Sequence, residues 1–177
     1  MRSQILNKWQ QFKNEIEIND WTPIDLYLKV YRWSHFLKED RNIASNKMYD
    51  LYIRYFECID VLDYRYSEVW FNIDNVIKYD LLNPKQNDIE SIASSCKDVL
   101  WELVAFKSNI ECIVCEIENY RVLTDQNRGN VFLVCDNCLH AQHIANIEVD
   151  VPDILFPVTP DIINKYHIVP NQWRGRE

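Results

Sequence analysis

The sequence predicts a mainly α-helical protein. About five helices form a bundle over residues 1–107, a four-cysteine β-hairpin is appended over residues 108–146, and an extended Pro-rich tail over residues 147–177 docks on the bundle. Three observations carry this expectation. Apolar residues recur at helical spacing through the first half of the chain. At Ser108 the pattern turns to short β-rich runs between two cysteine pairs. Four of the six prolines, Pro152, Pro157, Pro160 and Pro170, stand in the last stretch, where fixed φ and missing donors favour extended chain. The chain has only two glycines, Gly129 and Gly175. That argues against a many-turned sandwich or barrel and excludes a glycine-rich phosphate loop.

The elements follow in order. Ile5, Trp9, Phe12 and Ile16 form the stripe of an amphipathic helix after Ser3, and Glu17 to Asp20 break it. Thr22-Pro23 reads as an N-cap followed by Pro at the first helical position, with Asp25 in the first turn where the helix dipole favours it, opening a helix to about Leu37. Lys38 to Asn42 is a charged connector. Ser45 or Asn46 caps a third helix with stripe Met48, Tyr52, Tyr55, Ile59 and Leu62. Ser67 caps a fourth with Trp70, Ile73, Ile77 and Leu81, ended by Asn83-Pro84. Asn87 and Glu90 resemble a capping box for the fifth, whose stripe is Ile89, Ile92, Cys96, Val99, Leu103 and Phe106. Cys58 and Cys96 are expected as buried thiols. In the tail, Thr159-Pro160-Asp161 starts one short helix through Tyr166, and Ile154, Leu155, Phe156, Ile162, Ile163, Ile168 and Trp173 are too apolar for a free end.

The chemistry lies in Cys112, Cys115, Cys135 and Cys138, spaced C-x2-C-x19-C-x2-C. Tyr120 to Thr124 and Val131 to Val134, joined by the turn Asp125 to Asn130, form a hairpin that brings the two pairs together at its open end. A two-residue spacer lets both sulfurs of a pair face one side, and two pairs make a tetrahedral set at about 2.3 Å from a zinc ion. Four thiolates fill the coordination sphere, so one structural Zn²⁺ per chain is expected. Over about Ile110 to His143 the arrangement resembles the zinc-ribbon class, departing from it in the Glu116 and Leu139 that follow the pairs where Gly or Pro is usual. A three-Cys, one-His site through His140 or His143 is the alternative. Phe132 to His140 also resembles the closing zinc knuckle of HNH-type nucleases. That family places a catalytic His between the pairs, and residues 116–134 contain none; the resemblance implies at most a relative that kept the metal without nuclease activity.

The formal charge is −8; residues 1–107 hold 14 Lys and Arg against 17 Asp and Glu, and residues 108–177 hold 5 against 10. This is the wrong sign for direct nucleic-acid binding. No stretch is long and apolar enough for a membrane span and the start lacks a secretory signal, so the expected compartment is the cytoplasm. There, paired cysteines more often hold metal than a disulfide. His35 and His167 stand outside any recognised catalytic pattern. The expected function is therefore non-enzymatic protein binding, toward a basic partner such as a toxin. Bacterial immunity proteins are similar in size and charge. On the hairpin, Glu116 and Glu118 beside Tyr120 offer an acidic and aromatic contact. The alternative is a ribbon docked on a protein of the transcription machinery.

Overall fold

The computed structural model describes residues 2–59, 81–86 and 88–168. These fall into two compact units, a helical unit up to Leu103 and a sheet unit from Val104 onward.

In the helical unit, α1 (Arg2–Ile18) buries the expected stripe Ile5, Trp9, Phe12 and Ile16. In α2 (Pro23–Leu37), the Thr22 hydroxyl accepts the Asp25 N–H at 3.2 Å, so this start signal acts as its residues imply. Trp9, Phe12, Trp33 and Phe36 join the two helices in a continuous aromatic stack with centroids 5.0–5.8 Å apart. The connector after α2 holds a short α3 (Arg41–Ser45), capped by the buried Asp40, which accepts the Asn42 N–H at 3.0 Å. Asn46 caps α4 (Lys47–Glu57). The expected face of α4 is only partly met: Tyr55 and Ile59 are buried as expected, but Tyr49, Ile53 and Phe56 are buried as well, Tyr52 is half-buried and Met48 is exposed. The Tyr27 and Tyr49 hydroxyls tie α2 to α4 by donating to the carbonyls of Phe56 and Ser34. Because α4 ends at Glu57, Cys58 is an exposed C-cap residue and not a buried thiol.

The expected fourth helix, with Ser67, Trp70, Ile73 and Ile77, lies outside the described residues, as do Leu62, Asn87, Pro170 and Trp173. Asp88 caps α5 (Ile89–Val104) through the Ser91 N–H at 2.7 Å, and Ile89, Ile92, Cys96, Val99 and Leu103 are buried as expected. Tyr52 meets Trp101 edge-on, joining α4 to α5.

The sheet unit corrects the predicted fold class. Instead of a helix bundle with a hairpin appendage, the chain has a five-stranded antiparallel sheet in addition to its helices. Of the six helices among the described residues, only four run longer than seven residues. The strands are β1 (Phe106–Glu111), β2 (Asn119–Thr124), β3 (Val131–Val134), β4 (Ala141–His143) and β5 (Phe156–Pro157). The order is β1-β2-β3-β4, and β5 pairs the part of β2 that β1 leaves uncovered. Phe106 continues the apolar stripe of α5 in sequence. The helix nevertheless stops at Val104, because the β2 edge offers Phe106 and Lys107 a ladder against Val122 and Arg121. A bulge before Glu111 is stitched by Ser108, which donates to the Tyr120 carbonyl, and by the Asn119 amide on the Ser108 carbonyl. Phe156, Val158, Ile162 and Ile168 of the tail are buried, and Pro160–Lys165 forms α6. No helix among the described residues is long and apolar enough to cross a membrane.

Asp40 is the most exposed to test of the helical contacts, since it both caps α3 and receives Arg2 at 3.0 Å. Burial raises its pKa, but the Arg2 guanidinium and the N–H groups of Asn42 and Ile43 outweigh this and hold it below its ordinary value. Asp40→Ala should cost about 1–2 kcal/mol in urea unfolding, and Asp40→Asn less, since Asn keeps the cap. A depressed carboxyl contributes its stability above the unfolded value of about 3.9 and loses it as pH falls through the folded one. The gap between wild type and Asp40→Asn should therefore close in acid.

Candidate metal centre

The sheet delivers the four cysteines by strand direction. Both β1 and β3 run antiparallel to β2, so they end at the same edge of the sheet. Cys112 follows β1 directly and Cys135 follows β3 directly. The hairpin alone would align the second pair with Cys115; the additional strand β1 fixes the first pair from its other side.

The two Cys-x-x-Cys segments fold alike. The Cys112 carbonyl accepts the Glu116 N–H and the Cys135 carbonyl accepts the Leu139 N–H, each at 2.9 Å. Each knuckle is closed at its base by the Cys112 N–H on the Glu118 carbonyl and the Cys135 N–H on the His140 carbonyl, again at 2.9 Å. Glu116 and Leu139 take up the left-handed backbone, at φ 51° and 60°, where glycine is the usual choice. The departure seen in the sequence therefore leaves the knuckle shape intact and places a side chain where it is least favoured.

All four sulfurs lie within 4.8 Å of one another. The shortest separations, Cys112 to Cys138 and Cys115 to Cys135 at 3.5 Å, each join one knuckle to the other. Disulfide sulfurs stand about 2.05 Å apart, so these are free thiols. A tetrahedron with metal–sulfur bonds of about 2.3 Å has edges of about 3.8 Å, so the cluster has the right size to hold a metal ion. It is the one group of three or more His, Cys, Asp or Glu ligands of this kind among the described residues.

The local field prepares the thiols unequally. Burial pushes Cys112 up, but the N–H groups of Cys115 and Val114, the Tyr120 hydroxyl and Cys138 outweigh it and bring it down to about 5. The N–H of Ile117 leads in lowering Cys115, against burial. The His140 N–H lowers Cys138, but burial and the neighbouring sulfurs that take up its proton hold it up at about 12. The thiols do not all ionise together unless a cation replaces the proton shared among them.

Tyr120, fully buried, bridges the two knuckles. Its hydroxyl accepts the Ile113 N–H at 3.2 Å and lies 2.8 Å from His140 Nδ1. It is therefore unavailable as the exposed contact expected from the sequence. Glu118 is also engaged: Lys107 sits 3.6 Å from both Glu118 and Asp136, and Arg121 pairs with Asp136. His140 and His143 fall outside the sulfur cluster. His140 supports Tyr120, and His143 sits in β4, buried against Phe132, with its Nδ1 accepting the Ala145 N–H. Sequence reasoning missed Lys107 and Arg121 and gave Tyr120 an exposed role in place of its buried one, because these positions are set only by the strand ladder. Comparison of the chain with protein-family models, curated proteins and solved structures returns no match.

Tyr120→Phe should leave the Ile113 N–H without its partner, at a cost of about 1–3 kcal/mol to the sheet unit. Amide hydrogen exchange at Ile113 should speed up accordingly. Leu139→Gly should instead stabilise by roughly 0.5–1 kcal/mol, since relief of the left-handed backbone exceeds the added chain entropy of glycine.

Proposed function

We propose that this chain is a non-enzymatic protein-binding module whose sheet unit is stapled by one structural zinc ion on Cys112, Cys115, Cys135 and Cys138, and that it captures a basic protein partner in the manner of a toxin-neutralising protein. The observation that carries the metal assignment is the closed set of four sulfurs within 4.8 Å. Soft thiolate donors in a tetrahedral set favour Zn²⁺ and leave no position for a reacting water. Such an ion holds the knuckles in place and supplies no Lewis acid. The charge supports the partner class: residues 108–177 carry twice as many acidic as basic residues, and four thiolates on Zn²⁺ leave a further negative charge. Direct nucleic-acid binding is disfavoured, because Lys107 and Arg121 are already engaged with Glu118 and Asp136.

Purified under reducing conditions, the protein should contain close to one zinc per chain by elemental analysis, and a metal-free protein would end the zinc assignment. Cys135→Ser should lose the metal and loosen the sheet unit, while the helical signal largely persists, since the helical unit has its own core. Protons compete with metal for thiolate, so metal retention should weaken progressively as the pH falls, as read by zinc released to a chromogenic chelator.

A further inference from the structure

The knuckles present an unusual surface. Ile113, Val114, Ile117 and Leu139 are 65%, 60%, 73% and 79% exposed. Each stands within two residues of a cysteine whose sulfur lies within 4.8 Å of the other three, so they share one end of the sheet. Exposed apolar side chains scattered singly need no explanation, whereas several gathered on one rigid tip mark a contact surface. Rigidity matters here: the four backbone bonds at 2.9 Å and the Tyr120 bridge fix the positions from which these side chains project. An anchor held in place loses little entropy on binding.

The charge around the tip selects the occupant. Glu111 and Glu116 are exposed and carry no ion pair among the described residues. Apposing the tip to a second copy of itself would bring these carboxylates together, and the same sign repels anionic lipid and nucleic acid. What complements an apolar centre with acidic flanks is an apolar segment with cationic flanks.

We propose that the knuckle tip formed by Ile113, Val114, Ile117 and Leu139, flanked by Glu111 and Glu116, is the surface that receives the partner, and that the partner offers it a segment of apolar side chains bordered by Lys or Arg. This rests on the protein-binding reading above and adds to it the face and the chemistry recognised.

The test places a photo-crosslinking amino acid at Ile117 in one version of the full chain and at Ile18, an 80% exposed residue at the end of α1, in another, each expressed in the native cell. The expected result is an adduct from position 117 whose sequenced peptide is apolar and net basic. That peptide, synthesised and labelled, should bind the wild-type chain and bind Glu116→Lys and Leu139→Gly roughly five-fold or more weakly. Leu139→Gly is informative because it should weaken binding while leaving the fold no less stable. An adduct from position 18 alone would overturn the knuckle assignment and leave the protein-binding reading standing. At position 117, a second copy of this chain, a lipid, a nucleic acid or an acidic peptide would overturn the proposal, as would equal affinity of the three proteins for the basic peptide. No adduct from position 117, with the substituted chain intact by mass, would likewise overturn the knuckle assignment.

Discussion

Two cysteine pairs separated by nineteen residues can meet only if the strands between and before them hold a single register. The ladder Arg121↔Val134 through Thr124↔Val131 provides it, with β1 held on the opposite edge of β2. A one-residue slip would turn every side chain of a strand to the other face, removing Tyr120 from the knuckles and Val122 from the core at once. The first half of β2 specifies that register: Tyr120 and Val122 are buried while Asn119 and Arg121 are half-buried, so a slip would exchange apolar for polar burial there. Sulfur convergence is thus a consequence of sheet packing, and a metal ion would lock an arrangement that the backbone already favours.

The sheet itself is small, with strands of two to six residues, and such elements are marginal without further support. Support comes from polar contacts placed where the ladder is weakest. Ser108 and Asn119 satisfy the bulge in β1. Asp125 organises the β2–β3 turn by accepting the Gly129 N–H and the Asn130 amide. In that turn the left-handed residue is Arg128 at φ 57°, and Gly129 does not use its conformational freedom there. The Tyr120 bridge then couples the two knuckles directly, so each supports the other even before any ion is bound.

What could be read from the sequence divides by the range of the interaction that decides it. The α1 stripe, the Thr22 cap and the buried face of α5 depend on residues three or four apart, and the structure has them where the pattern points. The cysteine spacing was legible for the same reason. The α4 face was legible only at Tyr55 and Ile59, because Lys47 to Ile59 contains apolar residues at almost every phase of the helical wheel, and packing against α2 adds Tyr49, Ile53 and Phe56. The sheet was largely hidden. Lys107, Ser108 and Asn109 in β1, Ala141-Gln142-His143 in β4 and Pro157 in β5 have little intrinsic strand preference, and they extend only because β2 and β3 offer unpaired edges.

The two left-handed knuckle positions bear on how the tip should be understood. A residue other than glycine there costs about 1–2 kcal/mol, and glycine at Leu139 would leave the hydrogen bond from its N–H to the Cys135 carbonyl untouched. Leu139 also leaves 79% of its surface in water, so its side chain gains almost nothing from the fold to offset the backbone strain. Two unfavourable terms therefore coincide at one residue, and neither is relieved within the described chain. Strain of this kind persists where the surrounding structure over-determines it, as the knuckle's hydrogen bond to the Cys135 carbonyl does here. On the proposal that the knuckle tip receives a partner segment, covering this side chain is what would recover the cost.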